Sequence, residues 1–424
     1  MTAVSTTGPG ATTAAPSTRQ AKATQRWADL DRLRQNSAMY DAVIDEIDGR
    51  MIRIGDKWLA DFASCNYLGF DLDQEVMDSI DPLVRKWGTH PSWSRLLGNP
   101  RPYIEIEEQL TELLGAEDTL VLPTITHIHT SVIPVLVGEG TVFMDAQAHK
   151  TIYDGCAIAR GRGATLTRFT ANDPWALEQE LKVAPRNGPF VVAMDGVNSM
   201  TGNAPDLIEF ARICREHDAL LYVDDAHGFG VIGEDPTEEN PYGRRGNSIV
   251  RYFGESYENV ILVGGFSKAY SSLMAFMALP THFKNLLKVA APPYLYSGPS
   301  PTASLATVLA GMRVNETRGD ALRADLLRKT DRVLDTVREL GLRTPNTSRF
   351  PIIELPLADA DDIDALGDFL FERGIYVTLA AYPLVPRDQV GFRVQTTSAN
   401  TDAQIEPLCS VLREVAERFE MAPA

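Results

Sequence analysis

The chain has 424 residues, 44% apolar and 23% charged, with a net charge of −17 at pH 7. That is ordinary for a globular protein with a sizeable core, and it excludes a chain disordered throughout. The acidic balance also excludes a nucleic-acid binder that works through a basic field.

Residues 1–25 are rich in Thr, Ala, Ser and Pro and contain no apolar core of a signal peptide, so a disordered tail is expected there. Order is expected from about Trp27, in a helix with Leu30, Leu33 and Tyr40 on one side. The runs 130–138 (TSVIPVLVG) and 273–280 (LMAFMALP) are core-like but far shorter than the roughly 20 residues of a membrane helix. Cys65, Cys156, Cys214 and Cys409 are scattered and form no CxxC, which reads as small buried hydrophobes in a reducing cytoplasm.

Residues 141–146, 190–197, 219–228 and 259–266 read as buried strands. Between the second and third, Leu207, Phe210, Ala211 and Cys214 share one helical face, and Asp206 is placed to cap its start. Strand–helix–strand alternation predicts a mostly parallel sheet covered on both faces. Ligands bind such sheets at the carboxyl ends of the strands. Three of these strands end in polar residues: Asp195 to Ser199, Asp224 to His227, and Ser267–Lys268. Further on, 320–341 has helical apolar spacing stopped by Gly341. Residues 350–357, 375–383 and 392–397 read as strands, and Ile405, Leu408, Leu412, Val415 and Phe419 mark a last helix. A smaller α/β domain is therefore expected beside the large one.

Lys268 follows an apolar strand among small residues, in GGFSKAYSS. Burial there favours the unprotonated amine that Schiff-base chemistry needs. Asp224 and Asp225 are adjacent and would repel if both were buried and charged. One is expected to face the site and a cation, the other a backbone donor or solvent. His127 and His129 form an HxH in a strand-like stretch, and no third metal ligand accompanies them.

VDDAHGFGVIG (223–233) followed by GGFSKAYSS (264–272) resembles the α-oxoamine synthase family of pyridoxal-phosphate (PLP) enzymes. NYLGF (66–70), SRLLGN (94–99), IEIEEQL (104–110), AHKTIYDG (148–155), DGVNSMTGNAPDL (195–207) and FRVQTT (392–397) stand in that family's order, from about residue 45 to 415. The resemblance implies the PLP-dependent fold type I, with a large, mostly parallel sheet domain at 66–310 and a small C-terminal α/β domain at 311–424. An N-terminal segment at 26–65 precedes them.

By position, the resemblance makes Lys268 the residue that holds PLP and moves the substrate's α-proton. Asp224 would pair with the ring nitrogen, His227 and Ser199 would lie near the phenolic oxygen, and His149 would stack on the ring. Thr124, Ile125 and Ser267 would hold the phosphate. Arg393 and Asn66 would bind the substrate. No metal is implied. The implied activity joins a small amino acid to an acyl thioester, of coenzyme A or an acyl carrier protein, with loss of carbon dioxide. The alternative is an aminotransferase of the same fold. A cytoplasmic homodimer sharing its active sites is expected, with YSGPSP (296–301) reaching the neighbouring phosphate. Departures from the family pattern lie around the acyl entrance and the phosphate cup. Gly265 stands where the family often has threonine, TITHI (124–128) replaces a Gly-aromatic segment, and PRPYI (100–104) replaces a segment that usually carries a histidine.

Overall fold

The structure is a computed structural model that describes residues 27–423. The stretch expected to be a disordered tail lies outside the described residues. Seven strands form the large sheet: β1 (Asp118–Leu122), β2 (Thr141–Asp145), β3 (Thr165–Phe169), β4 (Phe190–Asp195), β5 (Ala219–Asp224), β6 (Val260–Gly265) and β7 (Ala275–Leu279). Their order is β1-β7-β6-β5-β4-β2-β3. The β3, β2, β4, β5 and β6 run is parallel throughout, and β7 is antiparallel to both of its neighbours.

The central strands are apolar on both faces because both faces are covered. On β5, Leu221 and Val223 enter one core with Val192, Phe210 and Leu262. Tyr222 enters the opposite core with Ile128, Val132 and Cys156. That second face is roofed by α1 (Ile125–Val137) and α2 (Lys150–Gly161). The first face carries α3 (Leu207–Glu216), whose Asp206 side chain caps the Glu209 N–H as expected.

A 38-residue helix, α4 (Thr302–Glu339), then runs from one core to another. Its Leu305, Val308 and Val314 pack with the large sheet, while Val333, Leu334 and Val337 pack with the C-terminal region. The helix read from residue 320 is the second half of this element, and the expected division at 310–311 falls inside it. The C-terminal sheet contains β8 (Ile352–Pro356), β9 (Thr378–Ala380) and β10 (Gly391–Gln395), antiparallel in the order β8-β10-β9. It packs against α5 (Asp402–Arg418) and the helix Ile363–Glu372.

Three short strands at Glu46–Asp48, Met51–Ile54 and Lys57–Asp61 form a meander, and the last pairs in parallel with Ile375–Tyr376. The N-terminal segment is thus joined to the C-terminal region by backbone pairing. Its helix spans Ala28–Asn36, so Tyr40 lies beyond it, with its hydroxyl donated to the Leu379 carbonyl. Leu33 is fully buried, as its place on the apolar face predicts. Cys156, Cys214 and Cys409 are buried and Cys65 is half-buried, all as free thiols.

One local reading is corrected. The HxH stretch is helical, because Thr124 caps the start of α1 by accepting from the His127 N–H at 3.3 Å. On a strand His127 and His129 would share a face; on a helix they stand about 200° apart. His127 is exposed, whereas His129 is fully buried.

Candidate functional site

The carboxyl ends of β4, β5 and β6 open into a cavity of about 310 Å³. Its walls bring together Lys268, Asp224, His227, His149, Ser199, Thr124, Ile125 and Ser267, residues drawn from five separate stretches of chain. Thr126, Thr151, Asp195, Val197 and Ala226 complete the lining.

Asp224 ends β5 and is only 6% exposed. Its Oδ1 accepts the Ala226 N–H at 3.0 Å, and its Oδ2 is 2.8 Å from His129 Nε2. Burial opposes the charge on Asp224. The His129 hydrogen bond and the nearby Lys268 outweigh it and hold the carboxyl at about 2. Asp225 turns the other way and accepts the Ile249 N–H at 2.8 Å, so the two acids divide as expected between the site and a backbone donor. Burial pushes Asp225 up to about 8. Gly228 permits this turn, since a Cβ there would meet Asp225 Oδ1 at 2.1 Å.

His227 Nδ1 is 2.8 Å from the Tyr67 hydroxyl, which also accepts from Gln395 Nε2 at 3.3 Å. Burial, with Lys268 and Arg393 nearby, pushes His227 well below its usual range and keeps the ring neutral. If Tyr67 donates to Nδ1, the ring proton sits on Nε2 and is free to meet an oxygen in the cavity.

His149 caps α2, with Nδ1 2.8 Å from Thr151 Oγ1, and its N–H is donated to Asp195 Oδ1 at 3.0 Å. Lys268 follows β6 in a turn closed by the Ser271 N–H donating to the Lys268 carbonyl at 2.9 Å. Among the described residues its amine has no hydrogen-bond or ion-pair partner. Ile125 and Thr126 open α1 at one wall of the cavity, where the first N–H groups of a helix have no intrahelical partner, and the exposed Ser267 lines the same cavity.

Two expected site residues lie apart from the cavity lining. Arg393, on β10, reaches across to the Ser199 carbonyl, and its buried Nε has no partner. It stands opposite Glu354 of β8 in the ladder, and burial raises Glu354 to about 7 against the pull of Arg393. Asn66 donates Nδ2 to Asp71 Oδ2 at 2.9 Å, inside a cluster where Arg50 grips Asp71 at 2.7 Å through both Nη atoms.

Sequence reasoning missed the supports. His129 and Tyr222 hold Asp224, and Tyr67 holds His227. Helical spacing was the available signal for His129, which sits at i−3 and i−4 from the buried Val132 and Ile133.

The family model for aminotransferase class I and II matches residues 72–412. An 8-amino-7-oxononanoate synthase from Pseudomonas putida is 31% identical over 407 residues, covering 95% of this chain and 98% of the relative. A serine palmitoyltransferase from Caulobacter vibrioides is 28% identical, covering 82% and 84% respectively. Among solved structures, a serine palmitoyltransferase from S. paucimobilis with a bound PLP-myriocin aldimine superposes with a TM-score of 0.84. It is 23% identical, with 94% of this chain and 97% of that one covered.

Proposed function

The chain belongs to the α-oxoamine synthase branch of the aminotransferase class I and II family, the PLP-dependent acyltransferases, and from that premise we propose that it condenses a small amino acid with an acyl thioester to give an α-amino ketone. The observation that carries this reading is an unpartnered Lys268 sharing one cavity with an ionised, buried Asp224.

The residues present fit pyridoxal phosphate. A helix start with free N–H groups lies on one wall, a buried carboxylate on another, and a free amine between loops of small residues. Bound there, PLP supplies an electron sink for charge released at the amino acid's α-carbon. Asp224 would hold a proton on the ring nitrogen. Lys268 Nζ takes the α-proton and later returns one. His227 Nε2–H would serve the phenolic oxygen or the acyl oxygen, and His149 would help hold the ring. Arg393 would bind the substrate carboxylate through its guanidinium. The α-carbon attacks the thioester carbonyl, thiol leaves, and the carboxylate departs as carbon dioxide. The donor would be a thioester of coenzyme A or of a carrier protein.

We also propose a homodimer. Tyr296 (83%) is exposed within the YSGPSP segment, Trp93 (56%) and Leu97 (80%) are exposed shortly after His90, and the His90 ring is 2.8 Å from the Pro299 carbonyl of that segment.

The test is α-hydrogen exchange in heavy water. Protein with PLP is incubated with single amino acids, then with a thioester panel, and products are read by mass spectrometry. The expected result is deuterium in one small amino acid that is returned unchanged, then carbon dioxide and an α-amino ketone once the right thioester is added. A keto acid with pyridoxamine phosphate would instead establish the aminotransferase reading.

A further inference from the structure

The buried imidazole of His129 makes two good hydrogen bonds, neither of them to the cavity. Nε2 is 2.8 Å from Asp224 Oδ2 and Nδ1 is 2.7 Å from the Tyr222 hydroxyl. All three side chains are at least nine-tenths buried. Tyr222 and Asp224 are two apart on β5, so they point to the same face, and α1 lies over that face. The turn of α1 carrying His129 is fixed from behind, because α2 packs so closely that a Cβ on Gly155 would meet the His129 carbonyl oxygen at 2.3 Å.

The proton positions follow from the partners. Burial keeps the Tyr222 hydroxyl protonated, so it can donate to Nδ1. An ionised carboxylate only accepts, so the Nε2 proton must point at Asp224. A neutral imidazole satisfies both bonds at once, with no second charge needed in the core.

We propose that Tyr222 and His129 form a relay that positions Asp224 and holds it ionised toward the cofactor ring, making His129 a positioning residue for the reaction. This rests on the PLP reading above. One hydrogen bond to each oxygen, from Ala226 and from His129, fixes the carboxylate plane while leaving each oxygen a second lone pair for the ring N–H. Removing His129 strands a buried carboxylate, which then takes up a proton and stops holding one on the ring. The other titratable groups facing Asp224 are Asp195 on β4, His149 before α2, Lys268 after β6, and the adjoining Asp225.

The test uses full-length holoprotein reconstituted with PLP carrying ¹⁵N in the ring, whose nitrogen shift reports its protonation directly. In His129→Leu the pH at which the ring nitrogen loses its proton is expected to fall by about 1–2 units. His129→Gln, which keeps an N–H near the Nε2 position, should restore it to within about half a unit. Tyr222→Phe, which deletes only the donor to Nδ1, should give a smaller fall and serves as the decisive variant if His129→Leu does not fold. A ring-nitrogen midpoint unchanged in His129→Leu, or in Tyr222→Phe where that variant must stand in, overturns the relay while leaving the cofactor reading intact. A wild-type protein that holds no PLP through Lys268 overturns both.

Discussion

The side chain of Ile125 occupies the space over Gly265: a Cβ on that glycine would stand 2.6 Å from Ile125 Cδ1 and 3.2 Å from Cγ1. These positions belong to two of the departures from the family pattern, at the proposed phosphate cup, and they are one change in packing. A threonine at 265 needs the volume that Ile125 fills. Ser267 Oγ lies 3.6 Å from the same point, so a hydroxyl is still at hand from two residues on.

Gly265→Thr alone should therefore overpack the cup, costing about 1–3 kcal/mol of stability and weakening PLP retention. Adding Ile125→Ala should recover most of both losses. Thermal unfolding and PLP dissociation across the double-mutant cycle would show it, and strictly additive losses would refute the shared-space argument. Ser267→Ala should weaken PLP binding by about tenfold, the loss of one charge-assisted hydrogen bond.

The carboxyl ends of the parallel strands were legible in the sequence because each residue there is local to its own strand. Asp224, His227 and Lys268 could be placed without knowing what faced them. The supports were not legible. His129 and Asp224 are 95 residues apart, and their contact exists only because α1 lies over β5. Two histidines at alternate positions fit a strand equally well, and only the Thr124 cap decided for a helix. Asn66 shows the same limit. Its neighbour Tyr67 reaches His227, while its own amide is taken by Asp71.

Lys268→Ala should abolish the attachment of PLP that borohydride can reduce to a permanent link. It should also lower α-hydrogen exchange by about 100- to 10,000-fold, the usual contribution of a positioned base. Mass spectrometry of the reduced protein checks the first, and exchange in heavy water the second. A reducible link at another lysine would move the assignment.

Glu354 stands opposite Arg393 and titrates at about 7, raised by burial and lowered by that arginine. Below pH 7 it is mostly neutral and does not compete with a substrate carboxylate for Arg393. Above it, the ionised Glu354 competes. KM for the amino acid should thus rise by about three- to tenfold between pH 6 and 8, a partly screened charge effect. Glu354→Gln should flatten that rise and leave kcat little changed. Arg393→Met should raise KM by about 10- to 100-fold at every pH. An unchanged pH profile in Glu354→Gln would show that the two groups are not coupled in substrate binding.

Asp225 carries a separate pH dependence, in stability. Burial raises its carboxyl to about 8, and the Ile249 N–H only partly offsets that. In the unfolded chain the group titrates near 4. Between those values the folded protein keeps a proton that the unfolded chain has lost, so stability falls as pH rises, by at most about 1.4 kcal/mol per unit. Below about 4 the contribution is complete, and above about 8 it is gone. Asp195 and Glu354 are raised too and slope the same way, so the wild-type curve alone cannot isolate Asp225. Asp225→Asn can, because the amide oxygen still accepts from Ile249 while the titration is removed. Urea midpoints at pH 5.5, 7 and 8.5 should show the variant gaining on wild type by about 3 kcal/mol across the range. A constant difference between the two proteins would mean that Asp225 is already ionised in its buried turn.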